Sequence, residues 1–471
     1  MRVPRVILAF AVCLSICLAA CLTGCLVGPK YQRPQVTLPP QFKDAPAANG
    51  TASIADTKWF DLFADDTLKQ LVNTALEHNF DVQIAAQHVL EARAEYGIAR
   101  ANLLPTLDMA ASFTPQHSSA KGAFPVPPGT PLTASVTEAG FSLNWEIDLW
   151  GRLRRLNEAA RAQYLATEEA QRGVTISLIS DVMTNYFALR EADLELEISQ
   201  RTSGIATDNL RLINLRHDRG AANGLDVYQA EQFLYTATAQ IANVKRSIGQ
   251  TEDALSLLLG SAPEEVPRGK ELEQIAHPAT LPAGLPSSLL DRRPDIRQAE
   301  QNLIAANAEI GAARALLFPQ ISLTGFLGGQ SQALTSLLSG PARVASIAPS
   351  LLAPIFHAGL RAGVRLTEAQ QRESLLDYQQ TIYGALREVS DAIVAHDRTH
   401  EQRAEEEKLV AALTESVRLS NLRYRGGLDS YLQVLDAERN LFGGQLTLAQ
   451  LRLEELQAVA QLYRALGGGW E

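Results

Sequence analysis

The chain has 471 residues, of which 46% are hydrophobic, and a formal net charge of −10. It has no Lys/Arg cluster dense enough to suggest a phosphate backbone as a partner, which argues against nucleic acid binding. All four cysteines lie at or before position 25, so a chain processed at Cys25 has no second cysteine for a disulfide framework or a thiolate metal site.

Residues 1–24 have the pattern of an export signal peptide: a basic start, an apolar run over 6–22 and small residues before Cys25. The tetrapeptide LTGC that ends at Cys25 is the pattern of a bacterial lipobox, in which the cysteine becomes the lipidated N-terminus. The tetrapeptide LAAC that ends at Cys21 fits the same loose pattern. A plain cleaved signal with an incidental cysteine is the alternative.

Two stretches of the chain occur twice. Residues 81–105 return at 295–319 with 12 of 25 positions identical, and residues 211–234 return at 418–441 with 11 of 24 identical. Such repeats indicate a structural unit that buries its apolar face only beside another unit. We therefore predict an extended N-terminal segment over 25–57, a first structural repeat over 58–284 and a second over 285–471.

Long regions without proline predict long helices. Residues 132–262 and 355–471 contain no proline, and much of their length is rich in Ala, Leu, Glu, Gln and Arg, which are strong helix formers. In each repeat we predict one long helix and one shorter helix, at about 152–218, 224–260, 360–425 and 430–466. A helix as long as the first spans on the order of 100 Å, and few globular domains need one.

Four short stretches have the two-residue period of a strand instead. The clearest is 141–149, where apolar and polar residues alternate. We predict strands at about 106–116, 136–149, 320–328 and 344–356, one hairpin per repeat. The mature chain lacks a run of 18 apolar residues, so a membrane crossing would require a closed β-barrel. Four strands cannot close one, and three chains with twelve strands would suit a conduit better than two chains with eight.

Several motifs carry a resemblance to a known family. They are CLVGPKYQRP at 25–34, WFDLF at 59–63, WEIDLWGRLR at 145–154, RRPD at 292–295, PIF at 354–356 and LGGGW at 466–470. With them the chain resembles the TolC-like outer-membrane efflux proteins, in the lipoprotein (OprM/NodT-type) branch of tripartite drug-efflux systems, over essentially its whole mature length. The VGP placement in the first motif favours Cys25 as the lipidated residue.

The resemblance implies a mainly α fold with a small β part. It implies a homotrimer with a long α-helical barrel and a 12-stranded transmembrane β-barrel in the outer membrane of a Gram-negative bacterium. It implies no catalytic activity, no cofactor and no metal, apart from the covalent diacylglycerol and palmitate on Cys25. The implied partners are a periplasmic membrane-fusion adaptor, an inner-membrane RND-type transporter and outer-membrane lipid. Such a duct passively conducts small toxic compounds or antibiotics outward.

The second repeated stretch lies where each long helix is predicted to end and reverse. Gly220 and Gly224 in the first turn, and Gly426 and Gly427 in the second, supply glycine where a left-handed helix terminus needs no Cβ. Ser430 can cap the following helix. These features alone indicate two ordinary helical hairpins. The resemblance implies in addition that the turns form the periplasmic tip of the duct and contact the adaptor.

The resemblance also implies a gate at this tip. Asp218 matches a family aspartate that pairs with a tyrosine at the position of Tyr424. Asp436 matches an aspartate that rings the narrowest point, with Leu432 one turn before it. Three copies of Asp436 around an axis would attract cations, and a tyrosine–aspartate hydrogen bond can hold a helix and still break. The alternative for each acidic residue is a solvated helix position, and the role of Arg425 is left open.

Three other classes of function compete with this interpretation. An enzyme is disfavoured, because His396 and His400 are the only histidines at i, i+4 spacing and the HDRTH segment lacks the glutamate of an HExxH site. We interpret this segment as a charged solvent face. A periplasmic coiled-coil scaffold would share the helices but would not need the two hairpins. A duct for type I protein secretion lies within the same family, and the lipobox and VGP segment favour drug efflux over it.

Overall fold

The structure is a computed structural model that describes residues 26–43, 53–121, 127, 129–275 and 282–468. Cys25 and the predicted signal peptide lie outside the described residues. The described chain is mostly helical with one four-stranded sheet, so the predicted fold class is confirmed at this level. Within these ranges no helix combines the length and the apolarity that crossing a membrane would take.

Nine α-helices and four strands make up the described part of the chain. The helices are α1 (Trp59–Phe63), α2 (Asp66–His78), α3 (Phe80–Ala101), α4 (Arg152–Asp218), α5 (Gly224–Leu258), α6 (Leu289–Arg292), α7 (Pro294–Ala315), α8 (Ala358–Arg425) and α9 (Tyr431–Ala465). The strands are β1 (Thr106–His117), β2 (Thr133–Ile147), β3 (Gln320–Ser331) and β4 (Arg343–Leu352). The long helices α4 and α8 contain 67 and 68 residues and occupy equivalent places in the two repeats.

The chain forms two compact units, and each unit draws on both sequence repeats. The first consists of the described residues within Met1–Pro34, Leu90–Thr167 and Ala299–Tyr378, and the second of those within Gln35–Val89, Glu168–Gln298 and Gln379–Glu471. The first unit contains the sheet, and the second contains both turns between long and short helices. The two copies of the repeat are therefore interleaved in space and do not form one domain each.

The sheet of the first unit is antiparallel throughout, with the strand order β1-β2-β3-β4. The central pair, β2 with β3, joins the two repeats. Gly140 pairs with Gly328 there. A Cβ built on Gly140 would lie 2.6 Å from the Gly328 Cα, so the close approach of the two strands at this pair requires glycine. The outer strands β1 and β4 are the two edges of the sheet.

One face of the sheet carries large apolar side chains that the rest of the chain leaves exposed. The alternation of the strands places them on the same side. They are Leu107, Met109, Phe113, Phe141, Leu327, Ile347 and Leu351. An exposed apolar surface of this extent marks a site of contact with another protein or with lipid.

The two strand-to-helix connections differ although each leads from a hairpin into a long helix. After β2, the Trp150 ring stacks on Phe318 with ring centres 4.8 Å apart, and its Nε1 donates a 2.7 Å hydrogen bond to the Pro319 carbonyl. After β4, Ile355 and Phe356 are 98% and 94% exposed. Within one chain, the second connection lacks the packing that the first one has.

Candidate functional site at the turns of the long helices

The first turn connects α4 to α5 through a left-handed glycine. Gly220 has φ +68°, its N–H donates to the His217 carbonyl, and the Ala221 N–H donates to the Arg216 carbonyl. This is the Schellman arrangement, which closes the last turn of a helix. Asn223 then caps α5: its Oδ1 accepts a 2.9 Å bond from the backbone N–H of Asp226, whose carboxylate accepts from the Asn223 N–H.

The second turn repeats the geometry of the first between α8 and α9. Gly427 has φ +75°, its N–H donates to the Tyr424 carbonyl, and the Leu428 N–H donates to the Arg423 carbonyl. The Arg423 guanidinium also binds the Asp429 carboxylate with two hydrogen bonds, of 2.5 and 3.0 Å. This ion pair spans the turn, and the first turn has a capping box in its place.

The other predicted residues of the turns have simpler surroundings. Ser430 is the N-cap residue of α9, but its side chain makes no capping hydrogen bond. Gly224 begins α5, and neither its φ nor any neighbouring atom requires glycine there. Gly426 donates its N–H to the Leu422 carbonyl and also lacks a positive φ. In each turn, therefore, one glycine adopts the left-handed conformation that favours this residue: Gly220 in the first turn and Gly427 in the second.

An apolar core lies directly behind the turns and joins α4, α5 and α9, with the partly buried Tyr424 of α8 packed against it. Its buried members include Ile198, Ile213, Phe233, Tyr431, Val434, Leu435 and Phe442. The rings of Phe233 of α5 and Phe442 of α9 meet edge to face with centres 6.4 Å apart. This core makes the inner end of each hairpin rigid and leaves the turns themselves exposed.

The structure places Tyr424 in contact with the end of α4. The Arg216 guanidinium carbon lies 4.5 Å from the centre of the Tyr424 ring, and the Tyr431 ring lies 5.7 Å away, centre to centre. Asp218 is exposed, and its carboxylate lies 3.9 Å from the His217 Nδ1. Among the described residues no hydrogen bond joins Asp218 to Tyr424 within one chain, so their pairing stays a prediction.

The predicted constriction residues share one exposed face of α9. Leu432 and Asp436 are one helical turn apart, and the Asn440 side chain donates a 3.3 Å hydrogen bond to the Asp436 carboxylate. The opposite face of the same turns, with Val434 and Leu435, is buried in the apolar core. This geometry presents Leu432 and Asp436 to whatever lies beside α9, and their place at a constriction stays a prediction.

Two polar contacts between helices behind the turns were not predicted from the sequence. The Asn209 side chain of α4 donates to the buried Glu438 carboxylate of α9 at 2.9 Å, and the Arg439 guanidinium donates to the Gln232 side chain of α5 at 2.8 Å. Burial raises the pKa of Glu438, although the bonds from Asn209 and Asn421 oppose this. The only trace of the Glu438 contact in the sequence is a polar residue at a position where the helical period predicts an apolar one.

The interpretation of the HDRTH segment as a charged solvent face fits the exposed Arg398 but is wrong for His396. His396 is buried, its ring stacks on His400 with centres 6.2 Å apart, and its Nδ1 lies 3.0 Å from Asp397. His400 lies 2.7 Å from the buried carboxylate of Glu455. The contact between His400 and Glu455 joins α8 to α9, and His396 is buried one turn before it.

Comparison with known proteins relates this architecture to one family. The family model for outer membrane efflux protein matches residues 71–261 and 285–468. The chain is 41% identical over 453 residues to the solvent efflux pump outer membrane protein SrpC of Pseudomonas putida, which covers 94% of this chain and 95% of that protein. It is 35% identical over 450 residues to the probable outer membrane lipoprotein SilC of Salmonella typhimurium, with 94% and 95% covered.

A solved channel has the same fold. The crystal structure of the open state of the MtrE outer membrane channel of Neisseria gonorrhoeae matches with a TM-score of 0.85 at 32% identity, covering 95% of this chain and 99% of that one. The two segments that the family model matches lie in the two sequence repeats, so the match includes the sheet and both turns. The protein is an outer-membrane component of an efflux system, and the chain belongs to the outer membrane efflux protein family.

Proposed function

We propose that three copies of this chain form the exit duct of a tripartite efflux pump. The trimer would close a twelve-stranded β-barrel in the outer membrane and an α-helical barrel in the periplasm. It would receive small toxic compounds or antibiotics from a membrane-fusion adaptor and an RND-type inner-membrane transporter, and would conduct them passively. The transporter would supply the energy for transport, and the chain itself would catalyse no reaction.

The observation that carries this proposal is the four-stranded sheet with an apolar face and two edges. The smallest membrane barrels have about eight strands, so a sheet of four needs strands from other copies. If β4 of one copy pairs with β1 of the next, three copies close the ring with twelve strands. A barrel of that size can hold water inside, whereas an eight-stranded barrel is filled by side chains.

The internal repeat supports this closure at the level of single residues. Trp150, after β2, packs on Phe318, after α7. Phe356 lies two residues before α8, as Trp150 lies two residues before α4, and Leu104 is the repeat equivalent of Phe318. Phe356 and Leu104 are 94% and 65% exposed within one chain. A contact between Phe356 of one copy and Leu104 of the next would give the second connection the packing that the first already has.

We place the gate of the duct at the exposed turns behind which the apolar core lies. Asp218 and Tyr424 would link neighbouring helices in the closed state. Leu432 and Asp436 would line the constriction, which fits their shared exposed face on α9. The turn residues Gly220, Gly224, Gly426, Gly427 and Ser430 would contact the adaptor.

We propose further that Cys25 carries diacylglycerol and palmitate and anchors the chain to outer-membrane lipid. The LTGC pattern supports this, and a relative that is matched over 95% of its length is named as a probable outer membrane lipoprotein. Radiolabelled palmitate should enter the wild type and be absent from Cys25→Ser. Label that persists in the variant would assign the lipid to another residue.

The proposed duct is tested in cells that lack the gene. Complementation with the wild type should restore tolerance to organic solvents or antibiotics, and outer-membrane fractions should contain a trimer that dissociates on heating. Affinity purification after mild cross-linking should recover an adaptor and a transporter. A monomer in outer-membrane fractions, or full tolerance without the chain, would contradict the proposal.

A further inference from the structure

The face of the sheet opposite the apolar one is polar, and one aromatic side chain lies on it. The strands pair so that even-numbered residues lie beside even-numbered ones, and alternate residues of a strand point to the same face. The even-numbered residues of the four described strands include no Lys or Arg, and Phe326 of β3 is their one aromatic residue. Most of the others are small or polar, among them Asp108, Ser112, Glu138, Ser142, Asn144, Thr324, Gln330 and Ser346.

The Phe326 ring lies against the glycine pair that joins β2 to β3. A Cβ built on Gly140 would lie 2.8 Å from the Phe326 Cζ, and one built on Gly328 would lie 2.9 Å from the same atom. A side chain at either position would therefore displace the ring. The two glycines cover one side of Phe326, which is only partly buried, so the remainder of the ring is exposed on the polar face.

Two carboxylates of this face have no counter-charge in the described part of the chain. Asp108 and Glu138 form no ion pair there, and the Ser142 hydroxyl donates to the Asp108 backbone carbonyl at 3.4 Å and not to its carboxylate. A third carboxylate, that of Glu146, differs because Arg152 binds it with two hydrogen bonds, of 2.8 and 2.6 Å. The polar face therefore carries negative charge, which attracts cations.

The strand register brings the aromatic ring and one of these carboxylates into the same row across the sheet. Asp108 pairs with Ser142, Ser142 with Phe326, and Phe326 with Ser346. Because neighbouring strands lie about 4.8 Å apart, the backbones of Asp108 and Phe326 are separated by about 10 Å. A planar aromatic cation of ordinary size can therefore stack on Phe326 and bring its charge toward Asp108.

We propose that Phe326 and Asp108 form a weak binding site for planar aromatic cations in the lumen of the duct. The inference rests on the proposed duct, in which the polar face lines the lumen and three copies of the chain repeat the site at one level. The ring supplies stacking and a cation–π contact, and the carboxylate supplies attraction for the charge. The site favours aromatic cations over other cations and still releases them, as conduction requires.

Ethidium, which combines a planar aromatic ring system with a permanent positive charge, is the probe for this site. Fluorescence polarisation measures its Kd for the full-length trimer purified from outer-membrane fractions. Phe326→Leu keeps an apolar side chain over the two glycines and removes the aromatic ring, so it should weaken binding by roughly two- to twelvefold. Phe326→Trp should bind at least as tightly as the wild type, since tryptophan gives the strongest cation–π contact.

Asp108→Asn tests the charged half of the site. It should weaken ethidium binding at low salt and bring the affinity closer to the high-salt value, because salt screens the attraction of an exposed carboxylate. Phe326→Leu should leave the salt dependence unchanged. The matched control is Phe141→Ala, which removes a ring from the neighbouring strand on the opposite face and should leave the Kd unchanged.

The result separates this inference from the proposed duct. A trimer that binds ethidium equally well with Phe326 and with Phe326→Leu would overturn the lumen site and leave the duct in place. An equal loss of affinity in Phe141→Ala would also overturn it, because the two rings lie on opposite faces. Failure to recover any trimer from the outer membrane would contradict the duct and the lumen site together.

Discussion

The Arg216 guanidinium lies 4.5 Å from the centre of the Tyr424 ring, and this contact joins the last turn of α4 to the last turn of α8. It connects the C-terminal ends of the two longest helices of one chain. A cation–π contact at an exposed site contributes about 0.5–1 kcal/mol. A link of this strength holds two helix ends together and still breaks without a large energy input, which suits the place where the duct is proposed to open.

We expect Arg216→Ala to raise the closed-state conductance of the channel in planar bilayers, because the ends of α4 and α8 lose their mutual contact. Arg216→Lys is the control, since it keeps a cation over the ring and should change the conductance less. Equal conductance of wild type and Arg216→Ala would show that this contact is not part of the closed state.

The predicted Asp218–Tyr424 pairing can be separated from the Arg216 contact. Tyr424→Phe keeps the aromatic face under Arg216 and removes the hydroxyl that Asp218 would need. If the pairing holds the closed tip, Tyr424→Phe and Asp218→Asn should each raise the closed-state conductance, and the double variant should add little to either. An unchanged closed-state conductance in the double variant would refute the pairing.

The repeat, the fold class and the reversal of the helices by glycine could be predicted from the sequence, because each leaves a local pattern. Which glycine of each turn takes the left-handed conformation could not, since Gly220 and Gly224 both fit the composition of a turn. The Asn209–Glu438 contact joins residues 229 positions apart, and its only trace is a glutamate in an apolar period. The buried His396 was mistaken for a surface residue because it lies in a segment of charged residues.

The two glycines of the first turn should respond differently to substitution. Gly220→Ala forces a Cβ into a left-handed conformation and should cost about 1 kcal/mol or slightly more of unfolding free energy. Gly224→Ala places a better helix former at the first position of α5, where nothing is in the way, and should be neutral or stabilising. Thermal unfolding of the purified protein measures both, and equal losses would contradict this assignment.

Cysteines at the proposed seam should cross-link one copy of the chain to the next. With Leu104→Cys and Phe356→Cys in one chain, oxidation should give a covalent trimer on a denaturing gel. The corresponding cysteines at the first connection, Trp150→Cys with Phe318→Cys, are the control, because that pair closes within one chain and should give a monomer. A Leu104/Phe356 variant that stays monomeric after complete oxidation would exclude this contact.

Stability should depend on pH through Glu438. Burial raises its folded-state pKa above the ordinary value of 4.5, so the folded protein binds a proton more readily than the unfolded chain. The stabilising contribution is complete below about pH 4.5 and is lost as the pH rises through the folded-state pKa. Glu438→Gln should therefore gain in melting temperature relative to the wild type as the pH increases from 5 to 8. A constant difference across this range would argue against a titrating Glu438.

Ion selectivity of the open channel should depend on Asp436. Three carboxylates around one axis attract cations and repel anions, whereas three amides of the same shape do not. Asp436→Asn should therefore shift the reversal potential in a salt gradient toward that of a non-selective pore. Gln229 occupies the equivalent position on α5. Gln229→Asn replaces one uncharged side chain with another and therefore serves as the control. A reversal potential that Asp436→Asn leaves unchanged would place Asp436 away from the ion pathway, because a carboxylate at a constriction acts on every ion that passes.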